Sequence, residues 1–221
     1  MLYIVATPIG NLEDITLRAL RTLKEVDFIL CEDTRVTRKL LDHYQIDKPL
    51  ISYHQHSRLA KIDFIVKLLA EGKNLALVSD AGTPGISDPG NQLIKQVVVE
   101  LGEEIKIIPI PGAAAVISAL SISGFPTDKF IFAGFPPHKK GRQTFFKEII
   151  RAKETVVFYE STHRMEKTLT ELNNLDGQLK IVVCRELTKK FESVYRGTPS
   201  EVLAKIKNDS SKGEFVVIVE S

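Results

Sequence analysis

The sequence predicts an α/β protein with two domains: a mostly parallel, doubly wound sheet followed by a mixed sheet. In the first half, short apolar runs rich in β-branched residues alternate with segments of helical periodicity, which is typical of a parallel sheet covered by helices. A stretch of glycines, prolines and basic residues after residue 123 separates this half from a second one with partly antiparallel character. We therefore expect domains over residues 1–112 and 113–221, with a hinge near residues 111–115.

The apolar runs define the predicted elements in chain order. The strands of the first half are predicted at residues 2–6, 28–31, 75–79 and 105–108. Between them, apolar stripes such as Ile62, Ile65 and Leu69 predict helices that cover the sheet. The second half is predicted to hold strands at 130–133, 155–159, 181–184, 193–196 and 215–219, and helices at 142–152, 164–172 and 200–207.

Composition and charge exclude several classes of protein. The 221 residues are 43% hydrophobic and 26% charged, which is ordinary for a globular chain. A net charge of +2 indicates no uniformly basic surface, so any nucleic-acid contact must come from a local patch. The two cysteines, Cys31 and Cys184, lie in apolar runs without a CxxC, so we expect neither a zinc site nor a disulfide framework.

Neither a secretion signal nor a membrane span is predicted. The N-terminal segment lacks a basic region, and its apolar run is broken early by Pro8 and Gly10. No stretch approaches the roughly 18 consecutive apolar residues of a membrane-spanning helix. We therefore expect a cytoplasmic protein in a reducing compartment, with no membrane partner.

The turn ATPIGN after the first strand contains a glycine and could bring a ligand close to the main chain. It is not the GxGxxG turn of dinucleotide-binding proteins, and the chain has no GxxxxGK[ST] phosphate loop. The sequence therefore argues against NAD and ATP as ligands, and against a nicotinamide dehydrogenase.

A longer loop, VSDAGTPGISDPG, leaves the third predicted strand at residues 78–90. Ligands of open α/β sheets bind at the carboxyl ends of strands. The N–H groups and hydroxyls of this loop could bind an adenosyl or carboxylate group, and Asp80 could attract a sulfonium cation. Asp88 is expected to cap the next helix, which would begin at Pro89. The alternative is an ordinary turn with helix caps.

The segment CEDTR follows the second strand and brings together Glu32, Asp33 and Arg35. An acid and a base at a strand end could orient a substrate hydroxyl. The alternative is structural: Asp33 or Thr34 caps the next helix, and Arg35 forms a surface ion pair.

Two further segments carry ionisable side chains. His54 and His56 share one face of an extended segment, where a metal pair is conceivable. Without a clear third ligand we expect no metal, and histidines that are exposed to solvent or contact the substrate. In PPHKKGR, a loop with prolines and a glycine, we expect Lys139, Lys140 and Arg142 to contact phosphates. A solvated loop is the alternative there.

Taken together, these motifs resemble the tetrapyrrole methylase superfamily, and within it the branch that methylates ribose hydroxyls of ribosomal RNA. The resemblance runs from Tyr3 to Val219 and covers nearly the whole chain. Its most specific part joins VSDAGTPGISDPG to the CEDTR and FYES blocks. The segments that carry it are ATPIGNLEDITLRAL, CEDTR, SYHQH, LVSDAGTPGISDPG, IPGAAA, FPPHKKGR, FYESTHR, CRELTKKFE and GEFVVIV.

The resemblance implies two α/β domains with S-adenosyl-L-methionine in the cleft between them, and a homodimer. It also implies 2'-O-methylation of a cytidine ribose in the 16S RNA of the small ribosomal subunit. Corrin-type members have Gly-Asp-Pro where this chain has Ser79-Asp80-Ala81, which favours the RNA-modifying branch. The cofactor-binding positions that it implies are Pro8, Ser79, Asp80, Ala81, Ser87, Ala113, Ala114 and Tyr159.

Methyl transfer requires an oxygen to attack the sulfonium methyl group in line, while another group takes the hydroxyl proton. We expect Asp33 or Glu160 to accept that proton and Arg35 to orient the acceptor. Two alternatives stay open. One is an enzyme of the same fold that acts on a tetrapyrrole or corrin precursor or on a protein. The other is a non-catalytic RNA-binding module.

Overall fold

A five-stranded parallel sheet organises the first of the two units of this computed structural model, which describes residues 1–54, 59–88, 90–210 and 212–220. The units are Met1–Ala114 and Ala115–Ser221. The strands of the first unit lie in the order β3-β2-β4-β1-β5, and every neighbouring pair is parallel. They are β1 (Leu2–Val5), β2 (Phe28–Cys31), β3 (Leu50–Ser52), β4 (Leu75–Leu77) and β5 (Ile107–Ile110).

Four helices cover this sheet in two pairs: α1 (Leu17–Glu25), α2 (Thr34–His43), α3 (Leu59–Ala70) and α4 (Asn91–Leu101). Side chains alternate between the two faces of a strand, and the core divides accordingly. Leu23 of α1 and Leu41 of α2 pack with Ile29 of β2 in one apolar cluster. Ile65 of α3 and Val97 of α4 pack in a second cluster with the next residue of β2, Leu30. The sheet is therefore doubly wound, as predicted.

The strand β3 was not predicted from the sequence. It has three residues, is only partly buried, and therefore shows no alternating pattern over a useful length. The entrance to α4 also differs from the prediction. Gly90 is the N-cap residue and makes no side-chain capping bond, whereas the Asp88 side chain hydrogen-bonds with Ser79. Pro89, the predicted first residue of this helix, lies outside the described residues.

The second unit contains a mixed sheet in the order β6-β7-β10-β8-β9. Its first pair, β6 with β7, is parallel, and the others are antiparallel. The strands are β6 (Phe130–Phe132), β7 (Thr155–Ser161), β8 (Ile181–Arg185), β9 (Ser193–Gly197) and β10 (Glu214–Val219). The helices are α5 (Ala115–Ser121), α6 (Arg142–Arg151), α7 (Met165–Leu175) and α8 (Pro199–Asn208).

The mixed sheet confirms the predicted fold class, and its core is formed by the apolar positions of the predicted strands and helices. Phe158, Leu169 and Val217 are fully buried in one cluster. The strand β7 is two residues longer than predicted, so that Glu160 belongs to a strand rather than to a turn. Within the part of the chain that the structure describes, no helix is both long and apolar enough to cross a membrane.

Candidate functional site

The loops that follow β2, β3 and β4 meet at the carboxyl edge of the parallel sheet. These three strands are neighbours. After β2 the chain enters α2, which packs in one apolar cluster, whereas after β3 and β4 it enters α3 and α4, which pack in the other. Loops that diverge in this way leave a crevice between them. An open pocket of about 420 Å³ results, lined by Glu32, Asp33, Thr34, Arg35, Ser52, His54 and Asp80.

Asp33 and Arg35 form the acid–base pair of this pocket. The Asp33 carboxylate caps α2 by accepting the Arg35 main-chain N–H at 2.8 Å, and it also accepts the Arg35 Nε and Nη2 groups at 3.0 and 2.6 Å. These bonds lower the pKa of Asp33 to about 2. The structure therefore shows the structural alternative, in which Asp33 caps α2 and forms an ion pair with Arg35. The ionised carboxylate of Asp33 lies at the wall of the pocket.

Asp80 connects this pair to the loop that follows β4. Its Oδ1 atom accepts the main-chain N–H of Asp33 at 3.2 Å, while the residue itself is exposed. The ends of β2 and β4 are thus joined by a side chain that also faces the pocket.

The loop after β4 is also fixed to the turn that follows β1. Thr7 and Gly82 exchange two main-chain hydrogen bonds, at 2.9 and 3.0 Å, and the Thr7 hydroxyl donates to the Ser79 carbonyl at 3.1 Å. Ser79 is buried, and its own hydroxyl donates to the carbonyls of Ala81 and Gly82. Thr7 was not singled out from the sequence. Its neighbour Pro8 was the predicted cofactor position in this turn.

The main chain after β5 approaches the same loops. The Thr83 hydroxyl donates to the Ala113 carbonyl at 3.4 Å. An added Cβ at Gly112 would stand 2.9 Å from the Cβ of Ala6, so glycine is required for this close approach. The structure therefore brings the predicted cofactor positions after β1, β4 and β5 to one edge of the sheet. Ser87, another predicted position, is exposed with a φ of 63°.

Three carboxylates make this edge electrostatically negative. The pKa of Asp88 is raised to about 6, chiefly by burial and also by the negative charges of Glu32 and Asp80, against a hydrogen bond with Ser79 that lowers it. Negative charges that raise the pKa of a neighbouring carboxyl group also favour the binding of a cation beside it.

His54 lies in the same pocket, where its Nε2 atom is 2.8 Å from the Ser52 hydroxyl oxygen. The sequence predicted that His54 is exposed to solvent or contacts the substrate, and it did not single out Ser52. His56, the other histidine of that segment, lies outside the described residues. Among the residues that are described, no group of three His, Cys, Asp or Glu side chains is placed to hold a metal ion.

In the second unit, Glu160 is buried rather than exposed to a substrate. Its side chain has no exposed surface, and it contacts Arg164 at 2.9 Å and Arg142 at 3.5 Å. It also accepts the Thr168 hydroxyl at 2.5 Å and the Ser161 main-chain N–H at 2.7 Å. The carboxylate is therefore enclosed by its partners with no surface open to a substrate, and this burial disfavours the predicted role as proton acceptor. Arg164 and Thr168 follow Glu160 at intervals of four residues, a signal that the sequence prediction did not use.

The position of Arg142 corrects the predicted phosphate-binding set. Its side chain is 4% exposed and donates to Glu171 at 2.7 Å and to Thr168 at 2.7 Å. A buried arginine with these partners cannot reach a phosphate. Lys139 and Lys140 are exposed in the preceding loop, so two of the three predicted residues are accessible there.

Tyr159, the predicted cofactor position of the second unit, is partly buried among aromatic rings. Its ring centroid is 5.1 Å from that of Phe132 and 5.3 Å from that of Phe135. Its main-chain N–H donates to the Gly134 carbonyl at 2.8 Å. The ring is therefore held in a defined position, and its role toward a cofactor stays a prediction.

Several relatives cover almost all of this chain. A Halalkalibacterium halodurans protein named ribosomal RNA small subunit methyltransferase I is 50% identical over 220 residues, which are 99% of this chain and 75% of that protein. Proteins of the same name from Bacillus subtilis and Thermotoga maritima are 46% and 45% identical. This chain covers 75% of the former and 97% of the latter.

Solved structures show the same fold at low sequence identity. A diphthine synthase superposes with a TM-score of 0.72 at 14% identity, over 99% of this chain and 89% of the other. A cobalt precorrin-4 methyltransferase superposes with a TM-score of 0.68 at 18% identity, over 99% and 94%. The family model of the tetrapyrrole (corrin/porphyrin) methylases matches residues 1–203. With this match and these relatives, the chain belongs to the tetrapyrrole methylase family.

Proposed function

We propose that this protein is a methyltransferase that uses S-adenosyl-L-methionine to methylate ribosomal RNA of the small subunit. The acceptor in this proposal is the 2'-hydroxyl of a cytidine ribose. One observation carries it: an open pocket with an ionised Asp33–Arg35 pair lies at the carboxyl edge of a doubly wound sheet. The relatives that cover almost all of the chain are named ribosomal RNA small subunit methyltransferase I, which supports the RNA substrate.

The residues at this edge fit the proposed cofactor. S-adenosyl-L-methionine supplies a methyl group activated by a positively charged sulfur. Asp80 and Glu32 provide the negative potential that a sulfonium requires, and their effect on the pKa of Asp88 supports that sign. Main-chain groups near Pro8, Ala81 and Ala113 offer the small, polar surface that an adenosyl group could contact. We propose that Ser79, Ser87, Ala114 and Tyr159 also contact the cofactor.

Asp33 is the residue of this pocket that we propose for the acceptor hydroxyl. Its carboxylate is held by Arg35 and stays ionised at every physiological pH, so it can accept a hydrogen bond from a ribose hydroxyl and fix its direction. A hydroxyl that receives the methyl group would carry a positive charge, and its O–H would then be strongly acidic. A weak base therefore suffices to take the proton at that stage, and from Asp33 the proton passes to water.

RNA would bind through local contacts rather than through a generally basic surface, since the net charge is only +2. Lys139 and Lys140 are exposed on a loop, where they can neutralise phosphates and release counterions. We expect a homodimer, which would present two such loops.

Mass spectrometry of ribosomal RNA provides the test. Small subunits from a strain that lacks the gene are incubated with the purified protein and methyl-labelled donor, and the nucleosides are then analysed. The expected product is one labelled 2'-O-methylcytidine. Label on a base, or label in a corrin precursor or a protein but not in RNA, would replace the proposal with another activity of the same fold. No heat in a calorimetric titration with the donor would favour a non-catalytic RNA-binding module.

A further inference from the structure

A buried ion network in the second unit lies directly behind the basic loop. Glu160 has no exposed side-chain surface and is paired with Arg142 and Arg164, whose side chains are 4% and 16% exposed. Thr168 links the first of these arginines to the carboxylate, because it accepts from Arg142 at 2.7 Å and donates to Glu160 at 2.5 Å. The network thus holds both guanidinium groups in fixed orientations.

Each guanidinium also donates to the main chain of the loop. Arg164 Nη1 donates to the Pro136 carbonyl at 2.8 Å, and Arg142 Nη1 donates to the Pro137 carbonyl at 3.4 Å. The main-chain N–H of Arg142 donates in turn to the Lys139 carbonyl at 3.3 Å. The two prolines have no main-chain N–H. This part of the loop can therefore form main-chain hydrogen bonds only through the carbonyls of Pro136 and Pro137.

The residues that follow these two carbonyls are His138, Lys139 and Lys140, and all three are exposed. A loop that is fixed at Pro136 and Pro137 presents its lysines in one arrangement, which reduces the conformational entropy lost when they meet phosphates. A loop without these bonds would lose that entropy on binding and bind RNA more weakly.

We propose that Arg164 and Glu160 are positioning residues for RNA recognition, which act by holding the Pro136–Pro137 segment so that Lys139 and Lys140 meet the RNA backbone. This inference rests on the proposed function, because it takes RNA as the ligand of the loop. It assigns Glu160 a role in substrate binding instead of proton transfer.

The test compares Arg164→Gln with a matched control, Arg185→Gln. Arg185 is buried and, like the partly buried Arg164, donates to main-chain carbonyls, those of Lys212 and Phe191, but none of its described bonds reaches the basic loop. Methylation of small subunits is measured with saturating donor. We expect Arg164→Gln to raise KM for the subunit about tenfold with kcat within about threefold, and Arg185→Gln to leave KM within about twofold.

A double-mutant cycle with Lys139→Ala separates positioning from general damage. If Arg164 acts through the loop, Lys139→Ala raises KM in the wild-type background and adds little in the Arg164→Gln background. Full additivity of the two changes, or an equal rise in KM in the Arg185→Gln control, would overturn the proposal. Glu160→Gln, which keeps the shape of the side chain, should likewise raise KM. A collapse of kcat with KM unchanged would instead return Glu160 to proton transfer.

A measurement without RNA distinguishes failure of this inference from failure of the proposed function. Amide hydrogen exchange is followed in the peptide that spans residues 134–141, in the wild-type protein and in the two arginine variants. Faster exchange in Arg164→Gln but not in Arg185→Gln is expected whatever the substrate. If exchange changes and RNA is not methylated, the network holds the loop but the proposed substrate is wrong. If exchange does not change, the positioning role is wrong.

Discussion

The main-chain N–H of Asp33 donates to Oδ1 of Asp80 at 3.2 Å, and this bond joins the loop after β2 to the loop after β4. Asp80 therefore does two things that substitutions can separate. It accepts a hydrogen bond from the neighbouring loop, and it places a negative charge at the pocket. Asparagine keeps an oxygen for the first function and removes the charge of the second.

We expect Asp80→Asn to weaken binding of S-adenosylmethionine about tenfold but to change binding of S-adenosylhomocysteine by less than about twofold. The reason is that only the former carries a positive charge on sulfur. Asp80→Ala should weaken both ligands, because it also releases the two loops. Isothermal calorimetry measures both constants, and Asp63→Asn, a change of an exposed carboxylate on α3, is the control. Equal losses for both ligands in Asp80→Asn would contradict the role of charge.

Asp33→Asn isolates the charge of the proposed hydrogen-bond acceptor from its structural role. Asparagine caps a helix as well as aspartate does, so we expect the urea concentration at the midpoint of unfolding to stay close to that of the wild type. Turnover should fall by about 100-fold or more, while donor affinity stays within about twofold. Asp33→Ala should lose the same turnover and, in addition, unfold at a lower urea concentration, because it loses the helix cap.

The pH profile of the wild-type rate should show no inflection from Asp33 between pH 4 and 9, because Arg35 holds the pKa of that carboxyl at about 2. Single-turnover rates from pH 4 to pH 9, in the wild type and in Asp33→Asn, provide the measurement. An acidic limb near pH 4 to 5 that disappears in Asp33→Asn would show that the ion pair with Arg35 is absent in solution.

Asp88 should make the protein less stable as the pH rises from about 4 to 6. Its folded pKa of about 6 lies above the ordinary value of 3.8, so the folded state binds more protons than the unfolded state in this window. Glu32 and Asp80 face the same group and contribute to this shift. Asp88→Asn should remove the dependence and stabilise the protein at pH 8 by on the order of 1–2 kcal/mol, a value that allows for partial exposure. Urea unfolding at pH 5 and 8 tests this, and a variant that is less stable at pH 8 would contradict it.

Gly112→Ala should destabilise the first unit, because the new Cβ would stand 2.9 Å from the Cβ of buried Ala6. A loss of about 1–3 kcal/mol is expected for such overpacking. The double variant Ala6→Gly/Gly112→Ala should recover part of it, since it removes the opposing methyl group. Gly177→Ala is the control: its nearest neighbour would be 3.6 Å away, and its stability should stay within about 0.5 kcal/mol of the wild type. Urea denaturation compares the four proteins, and a double variant no more stable than Gly112→Ala would rule out the steric explanation.

The candidate site was only partly accessible to sequence reasoning. The loop at residues 78–90 and the CEDTR segment were identified because polar residues cluster at the ends of predicted strands, and both contribute to the pocket. Ser52 was missed together with β3, whose three residues carry too short a pattern. The assignment of Arg142 to a phosphate-binding patch was wrong because a sequence run of basic residues does not show which of them turns toward the core.

The sequence by itself determined the order and type of most elements, the parallel first sheet and the family, because periodic burial and turn chemistry are local properties of the chain. The tertiary structure decided which charges face water and which face each other. Asp33 and Asp80 lie 47 positions apart and meet only because β2 and β4 are neighbours in the sheet. Arg142 and Glu160 meet in the interior of the second unit, where removal from water makes the pairing of charges obligatory. Such pairings depend on strand order and burial, which no local pattern encodes.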